Sequence, residues 1–407
     1  MPAGVSMGTR SARVAPSVQV AEGEVQSSAE QAIRLPIDPW LVLAAVGLGV
    51  CSVLTLGSTG NGGVPAHYYV ERQSIYLVIG FIIMLVVSRL DYAPLRRASR
   101  GIYVALLFSL VVVWVLGSSA NGSVRAVQFP LFSFQASEIG KVLLIVALAG
   151  FLVDRFRYIR ERRTTAQGRL AALVAARFVI IPPDIGSSMV YVVVAFAILF
   201  VGGVSGKHLA TLLTLAALAI TVVLFAAPAA GVNLLKPYQQ ERLTAFLHPS
   251  SNAQKQGYQQ EESKIAIGSG QKTGSKSLSQ IPLHFVPEAQ TDFIFAAVGE
   301  RYGFVGAALV LSLYALLIWR ILRILTLSKD LFGALIAGGV VAMVMFQVFI
   351  NVGMAIGISP ITGITLPLMS YGGSSVLTTL LALGLVLSVY SQARSTNARK
   401  GRALVVD

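Results

Sequence analysis

Long runs of apolar residues alternate with short polar segments from residue 40 to residue 391. Runs such as Val104–Leu116 and Met189–Val201 are apolar almost throughout, whereas a barrel strand would alternate apolar and polar residues. A helix crosses a bilayer with roughly 20 apolar residues. The pattern therefore predicts an all-α polytopic membrane protein with about ten transmembrane helices. The predicted helices are Trp40–Leu56, Ser74–Leu90, Gly101–Gly117, Glu138–Val153, Leu170–Ile181, Gly186–Val201, Lys207–Ala227, Phe304–Ile324, Leu331–Ile356 and Ser375–Ser391.

Composition agrees with a membrane protein and limits the other classes. Of the 407 residues, 55% are hydrophobic and 12% are charged, whereas a soluble domain carries about 25% charged residues. The net charge of +14 would suit nucleic acid, but the arginines lie between apolar runs, so we expect contact with membrane lipid and no nucleic-acid binding. The single cysteine, Cys51, excludes a disulfide framework.

The basic residues fall in alternate connections, which predicts the orientation. The segments Arg89–Arg100 and Arg155–Arg169 are rich in arginine, and such short segments stay in the cytoplasm. Both termini are then cytoplasmic, with a polar, disordered tail at residues 1–35 and a second tail at 394–407. The transmembrane domain spans 36–393, and its longest outer loop, 228–303, joins helices 7 and 8.

Two polar segments at predicted helix starts are candidates for chemistry. In Phe134–Lys141, Glu138 and Lys141 share a helix face. Either Ser137 caps the helix and Lys141 only pairs with Glu138, or Lys141, which opposes the dipole in a first turn, binds an anion such as phosphate. Asp184 follows two prolines, and its simplest role is that of an N-cap.

Three further segments lie on the predicted outer side. The segment from Lys236 to Arg242 either binds an anion or is a solvated loop. Asp292 directly precedes an apolar run, so it either starts a helix or is a functional group at membrane depth. The stretch Pro360–Ser375, rich in proline and glycine, predicts irregular backbone. It is either an ordinary surface loop or, at membrane depth, backbone that lines a cavity or is buried in protein.

Together these segments resemble the SEDS family (shape, elongation, division and sporulation proteins). The resemblance extends from about Pro36 to Ala393 and is most specific in three segments: Phe134–Lys141, Glu288–Ala296 and Pro360–Ser375. Two shorter segments, Leu235–Gln239 and Ile265–Gly270, look more like the RodA branch than the FtsW branch. Ala126 and Ala136 stand where the family usually has tryptophan and proline.

The resemblance implies a peptidoglycan glycosyltransferase of the bacterial inner membrane, which polymerises lipid II into glycan strands during elongation or division. It implies that Asp292 is the catalytic carboxylate on the outer face, and that Glu138 and Lys141 are essential residues of a central cavity. The other substrate-binding candidates are Arg125, Asp184, Lys236, Arg242 and Ser375. A class B penicillin-binding transpeptidase is the implied partner.

The chemistry of lipid II indicates which groups the reaction needs. A diphosphate leaves without a proton, so a single general base is enough, and Asp292 suits that role. Lys141, Arg125 or a divalent cation such as Mg²⁺ or Mn²⁺ would balance the diphosphate charge. A flippase of the same lipid is one alternative, although it would need polar groups through the whole bilayer. A non-catalytic scaffold is another, but it leaves Asp292 and Lys141 without a role.

Overall fold

The computed structural model describes most of the chain between residues 37 and 406. The described ranges are 37–59, 65–116, 118–120, 123–128, 133–158, 161–180, 184–222, 256–274, 286 and 288–406. The predicted tail at 1–35, and Lys236 and Arg242 in the predicted outer loop, lie outside the described residues. Of Arg125, only the backbone is described.

The described chain is a helical bundle with one small sheet. Each predicted transmembrane helix corresponds to a helix in the structure, so the all-α polytopic class is confirmed. The helices are α1 Pro39–Leu56, α2 Ala66–Arg89, α3 Ala93–Arg97, α4 Ser99–Leu116, α5 Ala136–Asp154, α6 Arg162–Ile180, α7 Ile185–Val201, α8 Gly206–Thr221, α9 Gln256–Ser269, α10 Ile294–Leu327, α11 Leu331–Ala355 and α12 Gly373–Val406. The strands are β1 Ser118–Ala120, β2 Ser123–Gln128 and β3 Ser133–Phe134, paired antiparallel in the order β1-β2-β3.

Length and composition support a membrane bundle. Within the described residues, α1, α2, α5, α10, α11 and the first part of α12 are long and apolar enough to cross a membrane. Ser99–Val115 and Gly186–Val201 are shorter apolar helices. The exact number of crossings and the orientation stay predictions, and "outer" below means the predicted outer side.

Several predicted boundaries are wrong for one physical reason. Helices α2, α6 and α10 begin well before the predicted starts Ser74, Leu170 and Phe304, and α12 continues far beyond Ser391. An apolar run marks the part of a helix that faces lipid, whereas hydrogen bonding carries the helix on through polar residues. The segment 228–303 is therefore not loop throughout, because it contains α9 and the start of α10. The sheet was also not predicted.

The core lies around α5, α11 and α12. About 78%, 67% and 89% of the residues in their most apolar windows are buried, against 28% for α2 and 22% for α10. The helices at the periphery of the bundle expose large apolar side chains such as Val78 and Phe304, as lipid contact requires. The described polar segments singled out in the sequence lie at or next to the starts of α5, α7, α10 and α12, on the predicted outer side.

Helix α10 is interrupted at Gly303, which has a positive φ of 61°. The break removes the helical acceptors of the next two N–H groups. Phe304 N instead donates to Gln271 O at 2.9 Å, and Val305 N donates to Lys272 O at 3.1 Å. The turn after α9 thus satisfies backbone groups that would otherwise be unpaired at membrane depth.

Candidate active site

Glu138 and Lys141 form a buried ion pair near the start of α5. Lys141 Nζ donates to Glu138 Oε1 at 2.6 Å, and the side chains of Lys141 and Glu138 are 2% and 8% exposed, respectively. Helix α5 begins at Ala136, with Gln135 in extended conformation as its N-cap. The prediction that Ser137 is the N-cap is therefore wrong, and Lys141 lies in the second turn, where the dipole acts on it more weakly. Its burial is the stronger sign of a specific role.

Asp184 is the N-cap of α7, as predicted. One carboxylate oxygen accepts from Ser187 N at 3.0 Å, and the other accepts from the Ser137 hydroxyl at 3.1 Å. Tyr191 Oη donates to Ser137 O at 3.2 Å. A Cβ at Gly140 would overlap the Tyr191 hydroxyl. These contacts hold the starts of α5 and α7 together.

The start of α12 joins the same place. Gln135 N donates to Ser374 Oγ at 3.1 Å, which places the N-termini of α5 and α12 in contact. The hydroxyls of Ser375 and Thr365 are hydrogen bonded at 2.9 Å. The N-termini of α5, α7 and α12 therefore converge, and their dipoles favour negative charge there. The structure thus brings Glu138, Lys141, Asp184 and Ser375 into one region.

Asp292 lies in the turn before α10 and does not cap that helix. The N-cap is Phe293, which makes no side-chain capping bond. Asn351 Nδ2 donates both to Asp292 O and to Ile364 O, each at 2.8 Å. The role of a simple helix cap, which the sequence left open for Asp292, is therefore not what the structure shows.

The two neighbouring carbonyls in that turn are also held. Ser370 Oγ donates to Thr291 O at 2.5 Å, and Tyr371 N donates to Gln290 O at 2.9 Å. Three successive backbone carbonyls, those of residues 290–292, thus accept hydrogen bonds from α11 and from the loop between α11 and α12. We call this set of bonds the backbone clamp.

The loop from 356 to 372 connects the clamp with the ion pair. It is irregular, and Leu366, Leu368 and Met369 are completely buried, so the prediction of irregular backbone buried in protein is confirmed. Leu368 has a positive φ of 65°, a strained backbone for a leucine. A Cβ at Gly186, in the first turn of α7, would overlap Thr362 O and the Ile364 side chain. The loop therefore packs against the Asp184 region on one side and the Asp292 turn on the other.

Gln73 is a further site residue that the sequence did not single out. It is completely buried on α2. Its Nε2 donates to Ser52 Oγ at 3.0 Å and to Ser370 O at 3.2 Å, and its Oε1 accepts from Gly372 N at 3.4 Å. Gln73 thus holds the loop on both sides of Tyr371. Gln73 stands in the polar stretch Glu71–Ser74 before the apolar run, so no local signal in the sequence singled it out.

The remaining predicted residues are placed only in part. Arg125 lies on β2, which pairs with β3 directly before α5. Among the described residues, no group of three or more His, Cys, Asp or Glu side chains is arranged to hold a metal ion.

Known proteins are similar to this chain in sequence over most of its length. It is 38% identical to the probable peptidoglycan glycosyltransferase FtsW of Thioalkalivibrio sulfidiphilus, covering 89% of this chain and 90% of that protein. It is 31% identical to the peptidoglycan glycosyltransferase MrdB of Escherichia coli, covering 89% and 95%. These identities do not favour the RodA branch, so the choice between elongation and division stays a prediction.

Solved structures give the same result. A chain of a peptidoglycan synthase complex that coordinates polymerization and crosslinking is 32% identical, with a TM-score of 0.75 over 88% of this chain and 99% of that chain. The rod shape determining protein RodA of Thermus thermophilus is 27% identical, with a TM-score of 0.64 over 88% and 97%. A family model described as "cell cycle protein", for FtsW, RodA and SpoVE, matches residues 35–395. The chain therefore belongs to the FtsW/RodA/SpoVE family.

Proposed function

We propose that this chain is a peptidoglycan glycosyltransferase that polymerises lipid II, with Asp292 as the general base. The observation that carries the proposal is the backbone clamp. It fixes the turn through main-chain oxygens, and helix capping is left to Phe293. Asp292 is therefore not the N-cap residue of α10, and relatives of this chain are named peptidoglycan glycosyltransferases.

The reaction replaces one bond at the anomeric carbon of the donor sugar. The acceptor hydroxyl oxygen forms the new glycosidic bond, and the bond to the diphosphate oxygen breaks with inversion. The hydroxyl proton moves to Asp292, and the electron pair leaves with the diphosphate. Because the diphosphate needs no proton, the single base suffices.

The Glu138–Lys141 region is proposed to bind the diphosphate. Within the described residues, Lys141 Nζ has one protein acceptor, Glu138, and an ammonium group has three donors. The converging N-termini of α5, α7 and α12 add favourable potential for an anion. A bound Mg²⁺ or Mn²⁺ would neutralise the leaving group. Arg125, Lys236 and Arg242 stay proposed substrate contacts.

Two aspects of the cellular setting are proposed with this function. The active site faces the outer side of the bacterial inner membrane, where lipid II would be polymerised. A class B penicillin-binding transpeptidase is the proposed partner, because one structural neighbour is a peptidoglycan synthase complex. A flippase or a scaffold would use the same fold without polymerising lipid II.

The substitution Asp292→Asn tests the proposal. Asparagine keeps the shape of the side chain and the clamped carbonyl but cannot accept a proton. Purified protein with labelled lipid II and Mg²⁺ should form glycan strands on gels, and the variant should lose about 10²–10⁴-fold in rate. Glu288→Gln is the matched control, because Glu288 is an exposed carboxylate in the same turn. It should keep near-normal rates.

Two results would overturn the proposal. Near-normal polymerisation by Asp292→Asn, at wild-type thermal stability, would remove Asp292 as the base. Wild-type protein that transports lipid II across liposomes but forms no glycan would support the flippase.

A further inference from the structure

An aromatic cluster lies at the outer end of α2. Tyr68 and Tyr69 meet edge to face, with ring centres 5.7 Å apart, and Tyr69 meets Tyr371 at 5.0 Å. Tyr76 packs against the other side of Tyr371 at 6.4 Å. The Arg72 guanidinium lies 4.5 Å from the centre of the Tyr68 ring. We call these residues the tyrosine cluster.

The tyrosine cluster is fixed to the turn that carries Asp292. The N–H of Tyr371 donates to Gln290 O, a part of the backbone clamp. Gln73 holds the backbone on both sides of Tyr371. The rings therefore keep a constant position relative to the proposed base.

A belt of tyrosines at a membrane surface is the simplest alternative. Three features distinguish the tyrosine cluster from such a belt. Tyr371 comes from a buried loop and not from a lipid-facing helix. The rings form a row in which Tyr68 contacts Tyr69 and Tyr69 contacts Tyr371. The guanidinium of Arg72 lies over the Tyr68 ring. Tyr68 is 38% exposed, so the cluster has an accessible end beside its buried part.

The chemistry of the cluster fits a sugar. A hexose ring has an apolar C–H face and a rim of hydroxyl and amide groups. Aromatic rings with polar tips match both parts, since one side of a tyrosine is apolar and its hydroxyl donates or accepts. Burial, followed by its tyrosine neighbours, raises the pKa of Tyr371 to about 12, so its hydroxyl stays neutral at cellular pH. Arg72 can pair with a carboxylate.

We propose that Tyr68, Tyr69, Tyr371 and Arg72 bind the glycan strand at a sugar ring beside Asp292. The ring stacks on the exposed tyrosine, and Arg72 pairs with a carboxylate of the strand. This proposal rests on the proposed function and specifies where the polymer is held. No other described residue is proposed to bind the glycan strand.

Binding of glycan can be measured apart from catalysis. The full-length Asp292→Asn protein in nanodiscs would be titrated with fluorescent, uncross-linked glycan strands of defined length. Adding Tyr68→Ala should weaken binding about tenfold. Tyr68→Phe, which keeps the ring, should restore most of it, and Arg72→Gln should weaken binding to strands that carry carboxylates.

Trp114→Ala is the matched control, because Trp114 is an exposed aromatic at the outer end of α4. It should leave glycan binding unchanged. In the active protein, Tyr68→Ala should release shorter strands on gels than Trp114→Ala does. Thermal unfolding should be the same for both, since both residues are exposed.

Equal binding by Tyr68→Ala and its parent would overturn the inference, and so would equal losses in Tyr68→Ala and Trp114→Ala. If Tyr68→Ala proved unstable, Arg72→Gln would decide alone. Failure of the proposed function appears differently, as normal polymerisation by Asp292→Asn with the binding results unaffected.

Discussion

The ion-pair region and the Asp292 turn are both held by buried hydrogen bonds, but different atoms hold them. Around Glu138, Lys141 and Asp184, the bonds are made by the charged side chains themselves. Around Asp292, they reach three backbone carbonyls through Asn351, Ser370 and Tyr371. In the first region structure and charge depend on the same atoms, whereas in the second the clamp bonds reach main-chain oxygens and not the carboxylate.

The largest expected effect of this difference is on stability, in the variant Lys141→Met. It leaves Glu138 buried without its partner, and breaking such a pair costs about 3–5 kcal/mol in free energy of unfolding. The double variant Glu138→Gln, Lys141→Met removes both charges and should regain most of that loss. Chemical unfolding in detergent measures both. Donor binding should remain weak in both variants, because the lysine is absent.

Two outcomes would contradict this prediction. Equal free energies of unfolding for the single and double variants would mean that Glu138 without Lys141 costs nothing, as for a carboxylate in contact with water. Normal polymerisation by the double variant would show that the pair is structural only.

A smaller effect is expected for the clamp, in the variant Asn351→Leu. It removes the single Asn351 amide donor that the carbonyls of Asp292 and Ile364 share, and losing this donor should cost about 1–3 kcal/mol. Polymerisation should also fall, because the turn loses its position. Gln347→Leu is the matched control one helical turn away, since Gln347 is buried and its Oε1 accepts no hydrogen bond within the described residues.

The control should lose less stability and less activity than Asn351→Leu. If both variants lose the same amount, the clamp contributes no more than any buried amide of α11. Thermal unfolding together with the glycan gel assay separates these cases.

The smallest effect is expected for Asp184→Asn. Asparagine is as good an N-cap as aspartate, so the free energy of unfolding should change by less than about 1 kcal/mol. Both carboxylate oxygens already accept protein hydrogen bonds, so donor binding should weaken less than in Lys141→Met. A loss as large as that of Lys141→Met, measured by binding of labelled lipid II, would assign the charge of Asp184 to the substrate.

The same comparison explains what the sequence could predict. Glu138 and Lys141 share a helix face at a spacing of three, so their pairing follows from helix geometry alone. The capping role of Asp184 follows from its place after two prolines. The clamp joins residues 351, 370 and 371 to residues 290–292, far apart in the chain, and no local pattern predicts which backbone oxygens they reach. The irregularity of 356–372 was predictable from its glycines and prolines, but the contacts of the loop were not.

The interruption of α10 at Gly303 has a consequence for how the protein tolerates different bilayers. A continuous helix would transmit any change of tilt, caused by hydrophobic mismatch, directly to the residues at its outer end. Here the section Ile294–Tyr302 is joined to the membrane-spanning stem through a glycine, and the turn after α9 is bonded at that joint. We therefore expect a change in the tilt of the stem to reach the Asp292 turn less directly than it would through a continuous helix.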